Sequence, residues 1–149
     1  MKVSYKDDYA LKVILDLARH YPDELVRIGE LSRRQDVPRK FLEQILLSLK
    51  NGGFVQSKRG PKGGYRLARS PKEIFLGEVV RYMSGSVYPI ACINPVVKQH
   101  CDFKPRCVFA PIWRKVGDQI SEVIDPISFA SLVEQESKLQ ERFIMDFQI

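Results

Sequence analysis

Residues 38–68 read PRKFLEQILLSLKNGGFVQSKRGPKGGYRLA, and the order of signals in this stretch decides the fold. Pro38 suits the first position of a helix, where its missing N–H leaves no bond unmade. Behind it Phe41, Leu42, Ile45, Leu46 and Leu49 recur at three- and four-residue steps, the period of a helix with one buried face. Asn51-Gly52-Gly53 ends that run. Phe54 to Lys58 then reads as a strand, Arg59-Gly60-Pro61-Lys62-Gly63-Gly64 as a loop, and Tyr65 to Ala68 as the returning strand. Three glycines, one proline and two cations allow the loop backbone to lie close to a phosphate or to enter a groove.

Working outward, Ser4 and Asp7 are read as a helix cap. Tyr9, Ala10, Val13, Ile14, Leu17 and Ala18 predict a first helix to about His20, which Pro22 stops. A second helix is predicted from about Ile28 to Arg34, with Ile28 and Leu31 inward and Gln35-Asp36-Val37 as the turn. Two helices joined by a short turn and followed at once by a basic hairpin form a winged helix-turn-helix. Downstream, Ile74, Phe75, Val79, Val80 and Met83 predict a fourth helix over 72–83. Residues 84–111 have little periodicity and hold every cysteine of the chain. Trp113, Val116, Ile120, Val123 and Ile124 predict a fifth helix ended by Asp125-Pro126. A last helix starts near Ser128, with Phe129, Leu132 and Val133 inward. The expected fold is mainly α with a small β-hairpin wing: a winged helix-turn-helix over 1–83, a cysteine loop over 84–111, and a dimerisation helix with a C-terminal helix over 112–149.

Charge agrees with this division. Residues 1–69 hold 15 Lys and Arg against 8 Asp and Glu, whereas residues 70–149 hold 9 against 10. A basic half fits a polyanionic partner. No apolar run reaches the ~18–20 residues that a membrane span needs, and Met1 to Asp8 have no apolar core of a secretory signal. The expected location is therefore the cytoplasm, whose reducing conditions keep thiols free.

On the third helix Arg39, Lys40, Glu43 and Gln44 lie off the apolar stripe, where long side chains can reach base edges. In the wing, Arg59 and Lys62 can enter a minor groove or hold phosphates, with Lys58 and Arg66 flanking them. Ser4, Tyr5 and Lys6 at the start of the first helix can donate to a phosphate. The bland alternative, a solvated helix face, is outweighed by the adjoining wing and the charge asymmetry.

Cys92, Cys101 and Cys107 fall in one window, separated by eight and then five residues. No C-x-x-C pair exists, which argues against a zinc ribbon and a thioredoxin-like dithiol. Thiolates on a long prolyl loop can wrap an iron–sulfur cluster. A metal-free redox switch and plain core filling are the competing readings. His100 adjoins Cys101, a placement from which two neighbours seldom reach one centre, and His20 ends the first helix as a surface residue. Asp7, Asp8, Asp102 and a carboxylate from a partner subunit are open as a fourth ligand. The stripe of Trp113, Val116, Ile120, Val123 and Ile124 packs either on its own domain or on a second copy.

The chain resembles the bacterial Rrf-two family of winged-helix regulators, whose members include IscR, NsrR, RirA and CymR. The resemblance covers residues 1–135 and rests on Met1-Lys2-Val3-Ser4, Asp8-Tyr9-Ala10, Phe41-Leu42-Glu43-Gln44-Ile45-Leu46, Arg59-Gly60-Pro61-Lys62-Gly63-Gly64-Tyr65, Gly77-Glu78-Val79-Val80, and Cys107 with Trp113. It implies a homodimer joined near Trp113, the third helix in a major groove of operator DNA and the wing in a minor groove. It further implies that Glu43 and Gln44 read bases, that Arg59 makes the wing's groove contact, and that Cys92, Cys101 and Cys107 hold a [2Fe-2S] or [4Fe-4S] cluster. Two departures stand out. The first cysteine interval is longer than usual, and Ala110 replaces the histidine of IscR. Asp8 matches the aspartate that NsrR-like members supply from the partner's first helix. The expected function is a DNA-binding transcriptional regulator, a repressor, whose affinity is set by a cluster sensing iron, redox state or nitric oxide. The alternatives are a metal-free cysteine switch on the same module and a winged-helix protein-interaction module. An enzyme is not expected, because neither histidine sits in a nucleophile–base arrangement.

Overall fold

Ser4 opens the first helix, α1 (Tyr5–Arg19), with a reciprocal cap: the Asp7 N–H donates to Ser4 Oγ and the Ser4 N–H donates to the Asp7 carboxylate. The computed structural model describes residues 4–97 and 99–147, so Met1, Lys2 and Val3 of the opening motif lie outside the described residues. The order is α1, α2 (Ile28–Gln35), α3 (Arg39–Asn51), β1 (Val55–Lys58), β2 (Gly64–Leu67), α4 (Leu76–Ser84), α5 (Phe109–Ile124) and α6 (Phe129–Phe147). The fold is the expected one, a mainly α chain with a two-stranded hairpin.

The core forms where the predicted faces meet. From α1 come Ala10, Val13, Ile14 and Leu17, and from α3 come Leu42, Ile45, Leu46 and Leu49, all buried. Phe54, Val55, Leu67 and Ile74 close it from the wing side, and Phe129 of α6 enters from the far end. Each Val, Leu, Ile or Phe among them contributes about 1.5–3 kcal/mol on leaving water. The hairpin pairs antiparallel, with Val55 opposite Leu67 and Lys58 opposite Gly64. Val26 adds a bridge to its other edge, exchanging backbone hydrogen bonds with Tyr65 at 2.8 and 2.9 Å.

The turn between α2 and α3 is built by Asp36, whose φ of 50° is left-handed, a conformation that Asn and Asp tolerate best among non-glycine residues. Ser32 secures it: its carbonyl accepts the Val37 N–H at 3.1 Å and its hydroxyl donates to the Val37 carbonyl at 2.7 Å.

One predicted element starts later than its periodicity suggests. Residues 72–75 are not helical; α4 begins at Leu76. The reason is tertiary. Phe75 bridges Ser128, the Leu76 N–H donates to the Ile127 carbonyl, and the Phe129 N–H donates to the Ile74 carbonyl. Bonds to the segment before α6 take backbone groups that a helix would have used internally. Conversely α5 starts before Trp113, because Pro111 is tolerated in a first turn. Between α4 and α5 the chain forms only two short 3-10 turns, Ala91–Ile93 and Lys104–Arg106, among the described residues.

The buried charge Asp16 lies on the apolar face of α1 with no exposure. Arg34 donates to it twice, at 2.7 and 3.0 Å, and Gln35 donates at 2.8 Å. Removing one partner of such a pair strands the other charge in the interior. Arg34→Met is expected to cost about 3 kcal/mol in urea unfolding, at the low end for buried pairs, because the Arg34 side chain keeps 35% of its exposure. An unchanged midpoint would show that the pair does not hold α2.

Candidate nucleic-acid interface and thiol loop

The face of α3 opposite its buried leucines looks across a groove of about 930 Å³ toward the wing. Arg27, Arg33, Arg39, Lys50, Lys58 and Arg59 line it, against Glu30 and Glu43. Six cations facing two acids make a concave surface of positive potential. Arg39 and Glu43 stand one helical turn apart, with Arg39 Nε 3.5 Å from Glu43 Oε1, and both are exposed. Lys40 and Gln44 are exposed on the same helix, and Lys62 and Arg66 on the wing. Of the residues singled out in the sequence, the structure gathers Arg39, Glu43, Lys58 and Arg59 on one groove. It adds Arg27, Arg33 and Lys50, whose role no motif signalled.

The wing is fixed from two sides. Arg27 Nη2 donates to the Pro61 carbonyl at 2.9 Å, and Lys50 Nζ donates to Ser57 Oγ at 3.0 Å. At its tip Gly60 has φ 110°, and a Cβ on Gly63 would stand 2.2 Å from the Lys58 carbonyl oxygen. Only glycine allows this turn. Tyr5 and Lys6 are exposed at the start of α1, whereas Ser4 is committed, its hydroxyl donating to Asp7 at 2.8 Å. Asp7 is itself buried and also accepts from Ser84 Oγ at 3.0 Å. Burial opposes its charge, but the hydrogen bonds from Ser4 and Ser84 outweigh that and hold its carboxyl below the usual range.

Cys92, Cys101 and Cys107 are free thiols, each half-buried. Among the described residues no three His, Cys, Asp or Glu side chains stand together as a metal-binding group. Asp8 is ion-paired with Lys12 at 2.6 Å, and His100 pairs with Asp102 at 2.7 Å on the surface. The donor chemistry, three soft sulfurs, fits an iron–sulfur cluster. The arrangement in one chain does not: these donors are not assembled.

The thiol loop is nevertheless tied to the rest of the molecule. Tyr88 lies on Gly117 of α5, where a Cβ would come within 2.2 Å of the ring, and its hydroxyl donates to Asp118 at 2.8 Å. That bond also keeps the phenol protonated above its usual range. Arg81 of α4 clamps the end of α5 through two bonds to Asp125, at 2.6 and 2.9 Å, and one to Ser121 at 2.9 Å. The next residue, Tyr82, donates to the Ser48 carbonyl of α3 at 2.8 Å. Contacts thus run without a gap from the loop to the helix that faces the groove. Apart from Gly117, α5 has no buried residue, so Trp113, Val116 and Val123 are exposed and Ile120 and Ile124 only half-buried.

A sequence model of the Rrf2 family, described as iron-dependent transcriptional regulators, matches residues 3–135. The chain belongs to the Rrf2 family. The HTH-type transcriptional regulator IscR of Aliivibrio salmonicida is 36% identical over 133 residues, covering 89% of this chain and 77% of that protein. Among solved structures, T. potens IscR superimposes with a TM-score of 0.72 at 30% identity, covering 94% of this chain and 91% of its own. CymR, the global cysteine regulator of B. subtilis, gives 0.72 at 26% identity, covering 91% and 98%. The protein is a transcriptional regulator of this type and not an enzyme, and DNA is its partner.

Gly117→Ala is expected to expel the Tyr88 ring and free the loop, although alanine raises the helix propensity of α5. Limited proteolysis should then cut residues 84–108 several-fold faster than in the parent chain. Equal cleavage rates would show that Tyr88 does not hold the loop.

Proposed function

We propose that the chain is a homodimeric, cytoplasmic repressor that places α3 in the major groove and the wing in the minor groove of its operator. The observation that carries this reading is the groove of six cations between α3 and the wing. Tyr5, Lys6, Arg39, Lys40, Lys58, Arg59 and Lys62 hold the backbone or enter grooves, with Ser4 capping the helix that presents Tyr5 and Lys6, and Glu43 and Gln44 address base edges. Two copies meet through α5, because its stripe of Trp113, Val116, Ile120, Val123 and Ile124 is exposed or only half-buried within one chain. A continuous apolar stripe of this kind marks an interaction surface.

DNA affinity is set by an iron–sulfur cluster on Cys92, Cys101 and Cys107, with the partner subunit's Asp8 as fourth ligand. Support comes from three reduced sulfurs on one loop and from the family's description as iron-dependent. When bound, such a cluster supplies a centre that iron supply, oxidants or nitric oxide can alter. The residues of the chain do the rest. Lys12 must release Asp8 before that carboxylate can serve elsewhere, and Tyr88, Arg81 and Tyr82 link the loop to α5, α4 and α3. A shift of population between two arrangements of these elements would change the spacing of paired α3 helices.

A metal-free thiol switch is the second reading, supported by the three free, half-buried thiols. Anaerobic purification with iron and sulfide analysis separates the two. Iron and sulfide with a coloured protein support the cluster. A colourless chain that takes up neither, and forms a disulfide or sulfenic acid on mild oxidation, supports the switch. Independently, Arg59→Ala is expected to weaken binding and to lower the slope of log affinity against log salt by about one unit. A salt-insensitive interaction would refute the DNA contact assigned to the wing.

A further inference from the structure

Leu42, Ile45, Leu46 and Leu49 of α3 fill the core, yet Leu47 is 61% exposed. It lines the groove between α3 and the wing, four residues beyond Glu43 and three before Lys50. Of the leucine, isoleucine and valine side chains lining that groove, it alone is exposed among the described residues: Ile28 is half-buried and Leu46 buried. A single exposed leucine on an ordinary surface carries no meaning. This one continues a row, Arg39, Glu43 and Leu47, whose four-residue steps put three side chains on one helical face.

The surroundings decide what such a side chain meets. A polyanion neutralises the cations around Leu47, whereas an apolar protein anchor would leave them buried and unpaired. At the base edges of a major groove one group is apolar, the C5-methyl of thymine. We propose that Leu47 is a specificity-determining residue that packs on a thymine methyl in the operator. The inference rests on α3 being the major-groove helix. Four residues advance about 6 Å along a helix and successive base pairs lie about 3.4 Å apart. The thymine is therefore one or two base pairs from the pair that Glu43 addresses. Leu47 would exclude cytosine there, which offers an amino donor and no methyl.

The full chain, prepared anaerobically, is used to select from duplexes with a randomised core. Deoxyuridine then replaces each thymine of the enriched duplex in turn, which removes the methyl and nothing else. The parent chain is expected to lose about four-fold in affinity at one position, the value of one buried methyl-sized group. In Leu47→Ala that penalty disappears, while helix propensity and exposure keep α3 folded. A scan with no sensitive thymine, or a penalty that Leu47→Ala retains in full, overturns the inference while leaving DNA binding intact. If no duplex is enriched and binding does not respond to salt, the assignment of α3 to DNA fails, and the role of Leu47 fails with it.

Discussion

Asp16 is a carboxylate with no access to solvent, and its partners all come from the second helix or from the end of its own. A buried ion pair of this kind contributes little net stability, since desolvation offsets most of the attraction. Its value lies in direction. An apolar contact between α1 and α2 would tolerate rotation of α2 about its axis, but a guanidinium bound through two nitrogens to one carboxylate does not. With α2 so oriented, the Ser32–Val37 turn sets where α3 leaves. Arg27, preceding α2, reaches the wing tip at Pro61. Both walls of the cation-lined groove thus take their positions from one side of α2.

This dependence explains why the groove needs so few contacts of its own. The wing is a two-stranded hairpin, a unit that is marginal by itself. It is made stable by the Val26 bridge on one edge and by Phe54, Val55 and Leu67 packed beneath it. Its outer face is then free to carry Lys58, Arg59 and Lys62 without any share in holding the fold.

Much of this was legible in the sequence because helical period and turn chemistry are local. The buried faces of α1 and α3, the glycine turn of the wing and the inward Phe129 of α6 all follow from spacing. What escaped was fixed by partners distant along the chain. Asp16 stands three residues from Val13 on the apolar face of α1, so a charge in the core was readable there, but its match to Arg34 was not. Residues 72–75 have helical spacing, yet bonds to the segment at 127–129 claim their backbone. The close approach of Tyr88 to Gly117 joins residues 29 apart along the chain, and no local pattern announces it. The sulfur donors are the sharpest case. Their proximity in sequence points to one centre, whereas among the described residues of a single chain no three His, Cys, Asp or Glu side chains stand together as a metal-binding group.

That last contrast gains sense from what surrounds the thiols. Val96, Phe103, Val108 and Phe109 on and after the loop are exposed, next to a helix whose apolar stripe is exposed at Trp113, Val116 and Val123 and half-buried at Ile120 and Ile124. Apolar surface of this extent is the mark of an interaction site. Within this region Tyr88 on Asp118 joins the loop to α5, Arg81 on Asp125 joins α5 to α4, and Val87 and Ile93 of the loop are buried. Hydrogen-bonded clamps permit discrete changes of arrangement at lower cost than interdigitated side chains. Among the described residues, the loop and α5 add no side chain to the main hydrophobic core. The core of α1, α3 and the wing forms the part that must keep its shape to fit a duplex. Tyr82, reaching from α4 to the Ser48 carbonyl, is where the two parts touch on the groove-facing helix.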